Sequence, residues 1–583
     1  MSAYERFVSD VSVIGTGVLI VVGLVVLAVR LHAVQVESAA EFNVVLERQR
    51  IRRVRTAAPR GRILDCRGRE LAANRTVRSL ALVIGSDYQK KDREATVAAV
   101  TNAIAEVCAQ LGIEPDPKSV TFHSASNHVS RRLALPYVFK RDIDDDVLAR
   151  FSEQIDGVRP GFVCVSETVR VHPQHSLAAH LVGITGRDDA EGDSGDVRVN
   201  FRERELVGRS GLEAYYDGFL RGVSGERQLV VAALGYMVRE AGTVDPVPGP
   251  DLRLTLDIDI QRKVESLLGE YEKGACAVID PETGAVLALA SNPSYDLDTY
   301  SRDFQSLNTS PKHPLVNRAS GGWYAPGSTF KPITALAALR AGIDSEAVVE
   351  CNGVFELPGM KLHCSRRWGH GDVGMCDALK ESCNTYFAHV AQLIGTNALF
   401  RAAREFGLGE KSGIDLFDDA PGTVPDGRRG RGLRGQWWTG ELSQMAIGQG
   451  QLLVTPLQMA RVAGALGTGF LVTPHLRAGI EPKRQPLPFS AEHLDIVREG
   501  MRRVVDGGTG RRGGEGVTAD VLLGKTGTAE VGSRTNRRKN TWFIAYARRG
   551  AKSVAVAMVI EDGESGGLTT APLVAEVLQE ALR

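Results

Sequence analysis

A serine and a lysine spaced three residues apart could perform nucleophilic chemistry in the middle of this chain. Ser328 and Lys331 belong to the tetrapeptide Ser-Thr-Phe-Lys, which precedes a helical pattern over residues 333–339. Side chains three residues apart lie on one face of a helix, so the lysine amine can reach the serine hydroxyl. A neutral lysine, with its pKa lowered by burial or by a neighbouring cation, would then act as general base for a serine nucleophile.

The surroundings of Ser328 are compatible with this role. Pro332 follows the lysine, and proline is tolerated in the first turn of a helix because the backbone N–H groups there have no intrahelical acceptor. An oxyanion formed at an acylated Ser328 would lie near the positive end of the helix dipole. Taken alone, Ser-x-x-Lys is a weak signal, and a solvated helix face is then the simpler interpretation.

Two further short motifs follow along the chain. Ser382 and Asn384 form Ser-Cys-Asn, and Lys-Thr-Gly-Thr occupies 525–528 after an apolar run at 521–523. A strand that carries Lys-Thr-Gly offers a cation and a hydroxyl to a carboxylate, and its glycine leaves room for a substrate backbone to pair with the strand edge. Each motif alone could be an ordinary turn or strand end. Their order within one α/β region favours a serine acyl-transfer site.

Four cysteines lie between residues 351 and 383, and His370 lies among them. Cys351, Cys364, His370 and Cys383 would supply three thiolates and one imidazole, a ligand set that suits a tetrahedral structural zinc. The spacing is looser than in zinc fingers, and Cys376 makes the assignment ambiguous. Disulfides or free thiols are the alternatives that the spacing leaves open.

The elements that must position these motifs begin after 245–250, where three prolines and a glycine exclude regular structure. Leu252, Leu254 and Leu256 then alternate as in a strand, and 260–271 has the pattern of a helix. Further strands are predicted at 275–279, 285–290, 541–547 and 553–560, and an amphipathic helix at 571–582. The expected architecture is α+β, with an antiparallel sheet flanked by helices.

The N-terminus has a different pattern. Residues 11–29 are uncharged and almost wholly apolar, close to the length that spans a hydrocarbon core of roughly 30 Å. A cleaved signal peptide is the alternative, but this stretch exceeds the usual ~7–15 apolar residues of one. Arg6 and Arg30 flank the stretch, so charge does not decide its orientation. We expect an anchor at 1–30, a mixed α/β domain at 31–248 with an exposed acidic loop at 188–196, and a catalytic domain at 249–583.

Composition restricts the class of protein. The chain has 583 residues, of which 43% are hydrophobic and 24% charged, which excludes a disordered, fibrous or polytopic membrane protein. Lys and Arg together number 70, as do Asp and Glu, so there is no net charge to attract a polyanion. Nucleic acid is therefore not expected as a partner.

With these motifs in order, the sequence resembles the penicillin-recognising serine acyltransferases, and among them the class B penicillin-binding proteins. Arg-Gly-Arg-Ile-Leu-Asp at 60–65 and Gly-Arg-Ser-Gly-Leu-Glu at 208–213 are similar to signatures of that family's non-catalytic pedestal domain. Cys66 departs from the pattern, because the family usually has arginine there, and puts a salt bridge at that position in doubt. The resemblance covers nearly the whole chain. It implies a transmembrane anchor, a pedestal and a transpeptidase domain.

The resemblance also implies a role for each residue of the three motifs. Ser328 would be the acylated nucleophile and Lys331 its base. Ser382 would relay a proton, Asn384 would hold the amide of the acyl donor, and Lys525 would tune the electrostatics of the site. The substrate would be bound along the strand by Thr526, Gly527 and Thr528, with both threonines on its terminal carboxylate. The backbone N–H groups of Ser328 and Thr528 would form the oxyanion hole.

The implied reaction is the cross-linking of peptidoglycan stem peptides through a serine ester. The D-Ala-D-Ala end of one stem peptide acylates the serine, D-Ala leaves, and the amine of a neighbouring stem peptide accepts the acyl group without any cofactor. β-Lactams would be inhibitors. Because this substrate exists only outside the cytoplasmic membrane, the N-terminus is expected inside and both domains outside. A D,D-carboxypeptidase, a membrane β-lactam sensor and a catalytically idle scaffold are the alternatives.

A subtype is implied by three further segments. Trp-Gly-His-Gly at 368–371, Ile-Gly-Gln-Gly at 447–450 and Thr-Pro-Leu-Gln-Met at 455–459 are similar to the elongation-type subgroup, which acts in cell-wall elongation and shape maintenance. Gly-Gln-Gly also occurs in division-type relatives, so a division-type enzyme stays open. The elongation type implies a partner, a polytopic glycan-strand polymerase of the shape, elongation, division and sporulation family. Some members of the subgroup hold zinc near the active site, and the matching ligands would be the four named above, with cysteine replacing two aspartates.

Overall fold

The structure is a computed structural model that describes residues 3–37, 50–117, 119–131, 133–187, 201–202, 205–232, 235–425, 439–533 and 536–583. The acidic loop expected at 188–196 lies outside the described residues. Helices and strands are numbered below in chain order.

The N-terminal apolar segment forms a long helix, α1 (Ala3–His32), followed by one π-helical turn (Ala33–Glu37). The stretch Ser12–Val36 is 25 residues long and strongly hydrophobic, with a mean hydropathy of 2.7, and none of it is buried. At 1.5 Å per residue it is about 37 Å long, which is enough to cross a hydrocarbon core of roughly 30 Å. The helix predicted over 11–29 is therefore present, with both ends extended, and it fits a single-pass membrane anchor.

The pedestal alternates short strands with helices, as predicted for a mixed α/β domain. Its strands are β1 (Ile51–Thr56), β2 (Ile63–Leu64), β3 (Glu70–Leu82), β4 (Tyr137–Lys140), β5 (Phe162–Val171), β6 (Thr185–Arg187), β7 (Phe201–Arg202), β8 (Leu206–Gly208), β9 (Gly225–Val231) and β10 (Met237–Val244). Its helices are α2 (Arg93–Leu111), α3 (Phe122–Arg131), α4 (Asp145–Gln154), α5 (Ala179–Val182), α6 (Gly211–Tyr215) and α7 (Asp217–Leu220). One sheet has the order β10-β9-β1-β7, and α2, α3 and α4 pack on the β3, β4 and β5 strands of another.

The C-terminal part of the chain holds the remaining elements. Its strands are β11 (Leu252–Arg253), β12 (Gly274–Ile279), β13 (Val286–Asn292), β14 (Val349–Cys351), β15 (Val354–Leu357), β16 (Met360–His363), β17 (Gly371–Val373), β18 (Phe470–Val472), β19 (Arg484–Pro486), β20 (Val521–Ser533), β21 (Asn536–Arg549) and β22 (Lys552–Glu561). Its helices are α8 (Ile258–Leu268), α9 (Tyr300–Thr309), α10 (Arg318–Gly321), α11 (Lys331–Arg340), α12 (Met375–Lys380), α13 (Asn384–Glu405), α14 (Thr439–Ala446), α15 (Pro456–Thr468), α16 (Ala491–Gly507) and α17 (Ala571–Ala581).

A five-stranded antiparallel sheet of order β13-β12-β22-β21-β20 organises this domain. Side chains on β12 alternate between its two faces, so Cys276 and Val278 pack with α8 and α17 while Ala275, Ala277 and Ile279 join the core on the side of α15. Every residue of β12 is buried, which explains its unbroken apolar run. The α+β architecture with helices on both faces is as predicted.

The chain enters the catalytic domain through a contact with the pedestal. The strand predicted through Leu252, Leu254 and Leu256 is limited to Leu252–Arg253, which pairs in parallel with pedestal strand β2. The prediction was too long because Leu254 bridges to Arg477 of the catalytic domain instead. All three leucines are nevertheless buried, since two domains rather than one sheet cover them.

Cys66 lies beside this junction, and the residues on either side of it still form ion pairs. Arg67 pairs with Asp257 at 2.7 Å, and Arg69 pairs with Asp65 at 2.7 Å and with Asp259 at 2.8 Å. The neighbouring arginines therefore connect the pedestal to the start of α8 although residue 66 is a cysteine.

Candidate active site

Ser328 lies on a tight turn at the start of a buried helix. Residues Gly327–Phe330 form a 3₁₀ turn, in which side chains at i and i+3 eclipse, and α11 begins at Lys331. Pro332 occupies the first helical turn without loss of a hydrogen bond. Trp542 on β21 donates its indole N–H to the carbonyl oxygen of Ala325 at 3.0 Å and so fixes the segment before the turn. The spacing of Ser328 and Lys331 is thus realised on one helical face.

The Ser-Cys-Asn turn contacts the lysine of the first motif. Lys331 Nζ donates to the carbonyl oxygen of Ser382 at 2.6 Å, lies 3.2 Å from Ser382 Oγ, and donates to Asn384 Oδ1 at 2.7 Å. Ser382 has φ +56°, a left-handed conformation that favours glycine. Such strain persists only where the surroundings hold it, and it is frequent at functional sites.

The Lys-Thr-Gly motif approaches the same turn from the other side. Lys525 Nζ lies 3.0 Å from Ser382 Oγ, so this hydroxyl lies between the two lysine amines. The motif is on β20, the edge strand of the sheet, which leaves one strand edge available for a peptide. A side chain at Gly527 would place its Cβ 2.8 Å from the carbonyl oxygen of Pro326. Glycine is required there because the strand passes directly over the turn that carries Ser328.

Burial controls the charge of both lysines. Lys331 and Lys525 have no solvent exposure. Desolvation lowers the pKa of the Lys331 amine to about 8. Desolvation, with repulsion from Lys331, holds the pKa of Lys525 well below its usual range. A substantial fraction of Lys331 is therefore neutral near physiological pH, as a general base must be.

These motifs open onto a cleft of about 1600 Å³. Ser328, Ser382, Asn384 and the threonines and glycine of 526–528 line it. Its basic side chains are Lys361, Arg511, Arg512, Arg537 and Lys539, against two acidic ones, Glu530 and Glu564. The excess of positive charge suits a substrate that carries a carboxylate.

The four residues predicted as metal ligands lie together beside this cleft, and one of them, Cys364, lines it. Their ligand atoms are all within 4.8 Å of one another. His370 Nδ1 is 3.5 Å from Cys351 Sγ and 3.4 Å from Cys364 Sγ, and the Sγ atoms of Cys364 and Cys383 are 3.8 Å apart. Cys376 is not part of the cluster, and its Sγ lies 3.4 Å from the carbonyl oxygen of Ile496. The sulfur separations exceed the roughly 2.05 Å of a disulfide, and all eight cysteines are free.

Several contacts of the site were not predicted from the sequence. Thr509 Oγ1 lies 2.8 Å from Thr526 Oγ1, and the Gly566 N–H donates to Thr528 Oγ1 at 3.3 Å. Gly448 accepts from the Gly327 N–H at 2.8 Å, and a Cβ on Gly448 would lie 2.0 Å from the Gly327 carbonyl oxygen. The Gly-Gln-Gly motif was a signal for Gly448. Thr509 and Gly566 belong to none of the sequence motifs, so nothing in the sequence indicated their contacts.

Comparison with known families identifies the class of protein that this fold and site define. Residues 274–579 match the penicillin binding protein transpeptidase domain, and residues 55–254 match the penicillin-binding protein dimerisation domain. The chain therefore belongs to the penicillin-binding protein transpeptidases, and it is an enzyme of the serine acyl-transfer type. The resemblance identified in the sequence is confirmed.

Individual members of this family are similar to the chain over most of its length. The peptidoglycan D,D-transpeptidase MrdA of Acinetobacter baumannii is 32% identical, with 94% of this chain and 84% of the relative covered. A complex between the penicillin-binding protein PBP2 and MreC from Helicobacter pylori has a TM-score of 0.76 at 25% identity, covering 91% of this chain and 98% of that one. A peptidoglycan synthase complex that coordinates polymerization and crosslinking has a TM-score of 0.72 at 26% identity, covering 98% of both chains.

Proposed function

We propose that this chain is a peptidoglycan D,D-transpeptidase that cross-links stem peptides during cell-wall elongation. The observation that carries the proposal is the convergence of three separate motifs on one cleft, with Ser382 Oγ between the amines of Lys331 and Lys525. Relatives at this similarity are named for the same reaction.

Acylation begins at Ser328. Neutral Lys331 takes the hydroxyl proton, and Ser328 Oγ attacks the carbonyl carbon of the penultimate D-Ala. The backbone N–H groups of Ser328 and Thr528 stabilise the oxyanion. The proton then passes from Lys331 to the leaving D-Ala nitrogen by way of Ser382 Oγ, which is 3.2 Å from the Lys331 amine. The C–N bond breaks, D-Ala leaves, and a serine ester remains.

Substrate binding depends on the strand beside the nucleophile. The donor peptide pairs with the free edge of β20, where Gly527 lets the strand lie close to the turn that carries Ser328. Thr526 and Thr528 bind the terminal carboxylate, and the Lys525 amine adds positive charge next to Thr526, whose carbonyl oxygen it contacts at 3.0 Å. Asn384 holds the donor's amide from the opposite wall of the cleft.

Deacylation reverses the proton movements. The amine of a second stem peptide attacks the ester carbonyl carbon, and Lys331 accepts the proton that the amine loses. When the tetrahedral intermediate collapses, this proton returns to Ser328 Oγ and the new amide is the cross-link. Water in place of the amine would give carboxypeptidase activity, so the acceptor must be held in the part of the cleft that the donor leaves empty.

We further propose that Cys351, Cys364, His370 and Cys383 hold a structural zinc ion. Zinc–sulfur bonds of about 2.3 Å place two tetrahedral thiolate ligands about 3.8 Å apart, which is the Cys364–Cys383 separation. The backbone N–H of Asn384 donates to Cys364 Sγ at 3.2 Å and that of Tyr386 to Cys383 Sγ at 3.5 Å. These four residues would hold the ion, and its coordinate bonds would tie the Ser-Cys-Asn turn to the neighbouring segments without a part in acyl transfer.

The same proposal assigns the three segments of the chain. Residues 1–30 anchor the protein in the cytoplasmic membrane, 31–248 form the pedestal, and 249–583 form the transpeptidase domain. Because the stem peptides are outside the cytoplasm, the two folded domains lie on the extracytoplasmic side. The pairing of β11 with β2 makes the pedestal the direct support of the catalytic domain.

The partners follow from the elongation role. The Helicobacter pylori relative was solved with MreC, and another similar structure is part of a synthase that couples polymerization to crosslinking. We assign to this chain a glycan-strand polymerase of the shape, elongation, division and sporulation family as partner, contacted through α1 and the pedestal. We assign the strand-polymerising step to that partner and the crosslinking step to this chain, whose matched domains are a transpeptidase and a dimerisation domain.

The test is intact-protein mass spectrometry of the full chain in detergent, with and without a fluorescent penicillin. We expect one penicilloyl adduct in the parent and none in Ser328→Ala. Ser306→Ala, an exposed serine on α9 outside the cleft, is the matched control and should be acylated like the parent. Absence of the adduct from a folded parent chain would favour the idle scaffold.

A further inference from the structure

Two loops meet where the pedestal touches the catalytic domain, and neither loop contains a motif of the cleft. His172 and His175 follow strand β5 of the pedestal, and Asp296 and Asp298 follow strand β13 of the catalytic domain. His175 Nδ1 lies 3.6 Å from Asp298 Oδ2 and 3.9 Å from Asp296 Oδ2. The three ligand atoms are all within 4.8 Å of one another. These distances are too long for hydrogen bonds.

The carboxylates are oriented by hydrogen bonds on their other oxygens. Asp298 Oδ1 accepts from the His172 backbone N–H at 3.2 Å and lies 2.7 Å from His172 Nδ1. Asp296 Oδ1 accepts from the Asp298 backbone N–H at 2.8 Å. Both Oδ1 atoms are thereby occupied, so both Oδ2 atoms are left facing His175. Carboxylates that bind metals in proteins are commonly oriented by hydrogen bonds from neighbouring groups.

Burial and charge distinguish this group from an ordinary surface cluster. His172 is 6% exposed, and its Nε2 has no hydrogen-bond partner although it is buried. Within the described part of the chain, the ion pairs of Asp296 and Asp298 are with these two histidines. The nearby Arg302 is paired with Asp303 instead. Arg302 also interacts electrostatically with Asp296, but neither carboxylate has an ion pair with a lysine or arginine in the described part of the chain, which leaves both able to bind a cation.

We propose that His175, Asp296 and Asp298 bind a divalent transition-metal ion that prefers nitrogen and oxygen ligands, and that this ion ties the pedestal to the catalytic domain. One imidazole and two carboxylates match Mn²⁺ and related ions, and water fills the remaining positions. Ligands about 2.1 Å from such an ion lie roughly 3.0–3.4 Å apart. Closing the two gaps to His175, 3.6 and 3.9 Å, needs a movement of a few tenths of an ångström, which His175 can make because its side chain is 71% exposed; the two carboxylates, within 4.8 Å of each other, must also adjust.

The site is chemically separate from the cysteine cluster. Thiolates select zinc, whereas Mn²⁺ binds thiolates weakly and carboxylates well. Mn²⁺ is therefore the probe, because its binding to the full chain reports on the site of His175, Asp296 and Asp298 even when the cysteine cluster is filled. The proposal does not depend on transpeptidase activity, since the ligands of this site contact none of the catalytic residues.

The experiment is a titration of the full chain in detergent, first loaded with one equivalent of zinc, which the thiolates take up, and then freed of excess zinc, in which electron paramagnetic resonance measures free Mn²⁺. We expect one bound Mn²⁺ per chain in the parent. His175→Ala and Asp296→Asn should each weaken its binding at least tenfold. The matched control is His123→Ala, an exposed pedestal histidine on α3 that contacts Asn127, and it should bind Mn²⁺ like the parent.

Thermal unfolding gives a second readout. Mn²⁺ should raise the unfolding temperature of the parent and of His123→Ala, and should leave that of His175→Ala unchanged, because the ion connects two domains only when His175 is present. No bound Mn²⁺ at millimolar free ion would overturn the proposal. Retention of full Mn²⁺ binding by both His175→Ala and Asp296→Asn would overturn it as well.

Discussion

Two regions of this molecule bury positive charge, and they treat it in opposite ways. In the pedestal, Arg60 and Arg170 each pair with Glu213 at 2.7 Å, with side chains 3% exposed or less. In the cleft, the buried amines of Lys331 and Lys525 make their hydrogen bonds to neutral oxygens of Ser382, Asn384 and Thr526. A paired buried charge is kept, whereas an unpaired one loses its proton more easily.

The difference teaches how to separate structural from catalytic charge in this family of folds. Arg60 and Glu213 come from the two segments by which the pedestal resembles its relatives, and their ion pair brings those segments together across 153 positions. In the described part of the cleft no carboxylate forms an ion pair with either lysine, and a Lys331 pKa of about 8 fits the proposed role of this amine as general base. Four experiments would break or sharpen this comparison.

The largest effect is expected from Lys331→Met. Loss of the general base should slow acylation by a fluorescent penicillin about 10²–10⁴-fold. The unfolding temperature should be unchanged or higher, because methionine fills the space without a charge to desolvate. Lys312→Met, at an exposed lysine outside the cleft, is the control. Acylation within tenfold of the parent would show that Lys331 is not the base.

Glu213→Gln tests the other side of the comparison. It leaves Arg60 and Arg170 buried without their shared carboxylate, which should lower the free energy of unfolding by about 3–5 kcal/mol. Acylation per folded chain should not change, because the pedestal holds no catalytic group. Denaturant unfolding measures the free energy of unfolding, and penicillin binding measures acylation per folded chain. Glu94→Gln, at an exposed pedestal carboxylate, should change neither the free energy of unfolding nor the acylation. A similar loss of stability in both variants would refute the role of the buried pair.

Cys383→Ser examines whether the cleft needs support from behind. It should lose the bound zinc, unfold at a lower temperature, and acylate roughly 10–100-fold more slowly, because the Ser-Cys-Asn turn loses its rear attachment. Elemental analysis, melting and penicillin kinetics measure these effects. Cys376→Ser is the matched control, since Cys376 lies outside the cluster. If a metal-depleted parent melts and acylates like the untreated chain, the zinc proposal fails.

The smallest effect is a pH dependence. Only uncharged Lys331 accepts a proton, so acylation should rise about tenfold per pH unit up to pH 8 and level off above it. Stability should rise with pH between 8 and the unfolded value of about 10.4, because the folded state there holds fewer protons than the unfolded one. Both trends should be weaker in Lys331→Met. A flat acylation profile from pH 6 to 8 would contradict the lowered pKa.

Local pattern predicted much of the catalytic domain. The hairpin of β12 and β13, strands β21 and β22, and the terminal helix all lie where periodicity indicated, with ends shifted by a few residues. The helix predicted over 260–271 is Ile258–Leu268, because Asp257 caps it earlier and Gly269 follows it. Residue type also selected the three motifs. Whether each side chain acts as proposed is for the variants to decide.

Other features could not be predicted, because they depend on contacts between distant residues. The Thr509–Thr526 hydrogen bond joins two residues that no motif connects. The exclusion of Cys376 from the cysteine cluster depends on the direction of α12, which points its thiol toward Ile496. Spacing alone treated Cys376 and Cys383 as equivalent candidates.

The sequence by itself determined which reactive groups are present: a serine and a lysine three residues apart, a strand that carries Lys-Thr-Gly, three cysteines with a histidine, and an apolar span. All of these are properties of residue type and short-range geometry. Only the tertiary structure decided how these groups act on one another. Desolvation of Lys331, the position of Ser382 Oγ between two amines, and the meeting of His175 with Asp296 and Asp298 arise when segments far apart in the chain exclude water from the same place. Burial and distance set the pKa and the ligand geometry, and neither is encoded in local spacing.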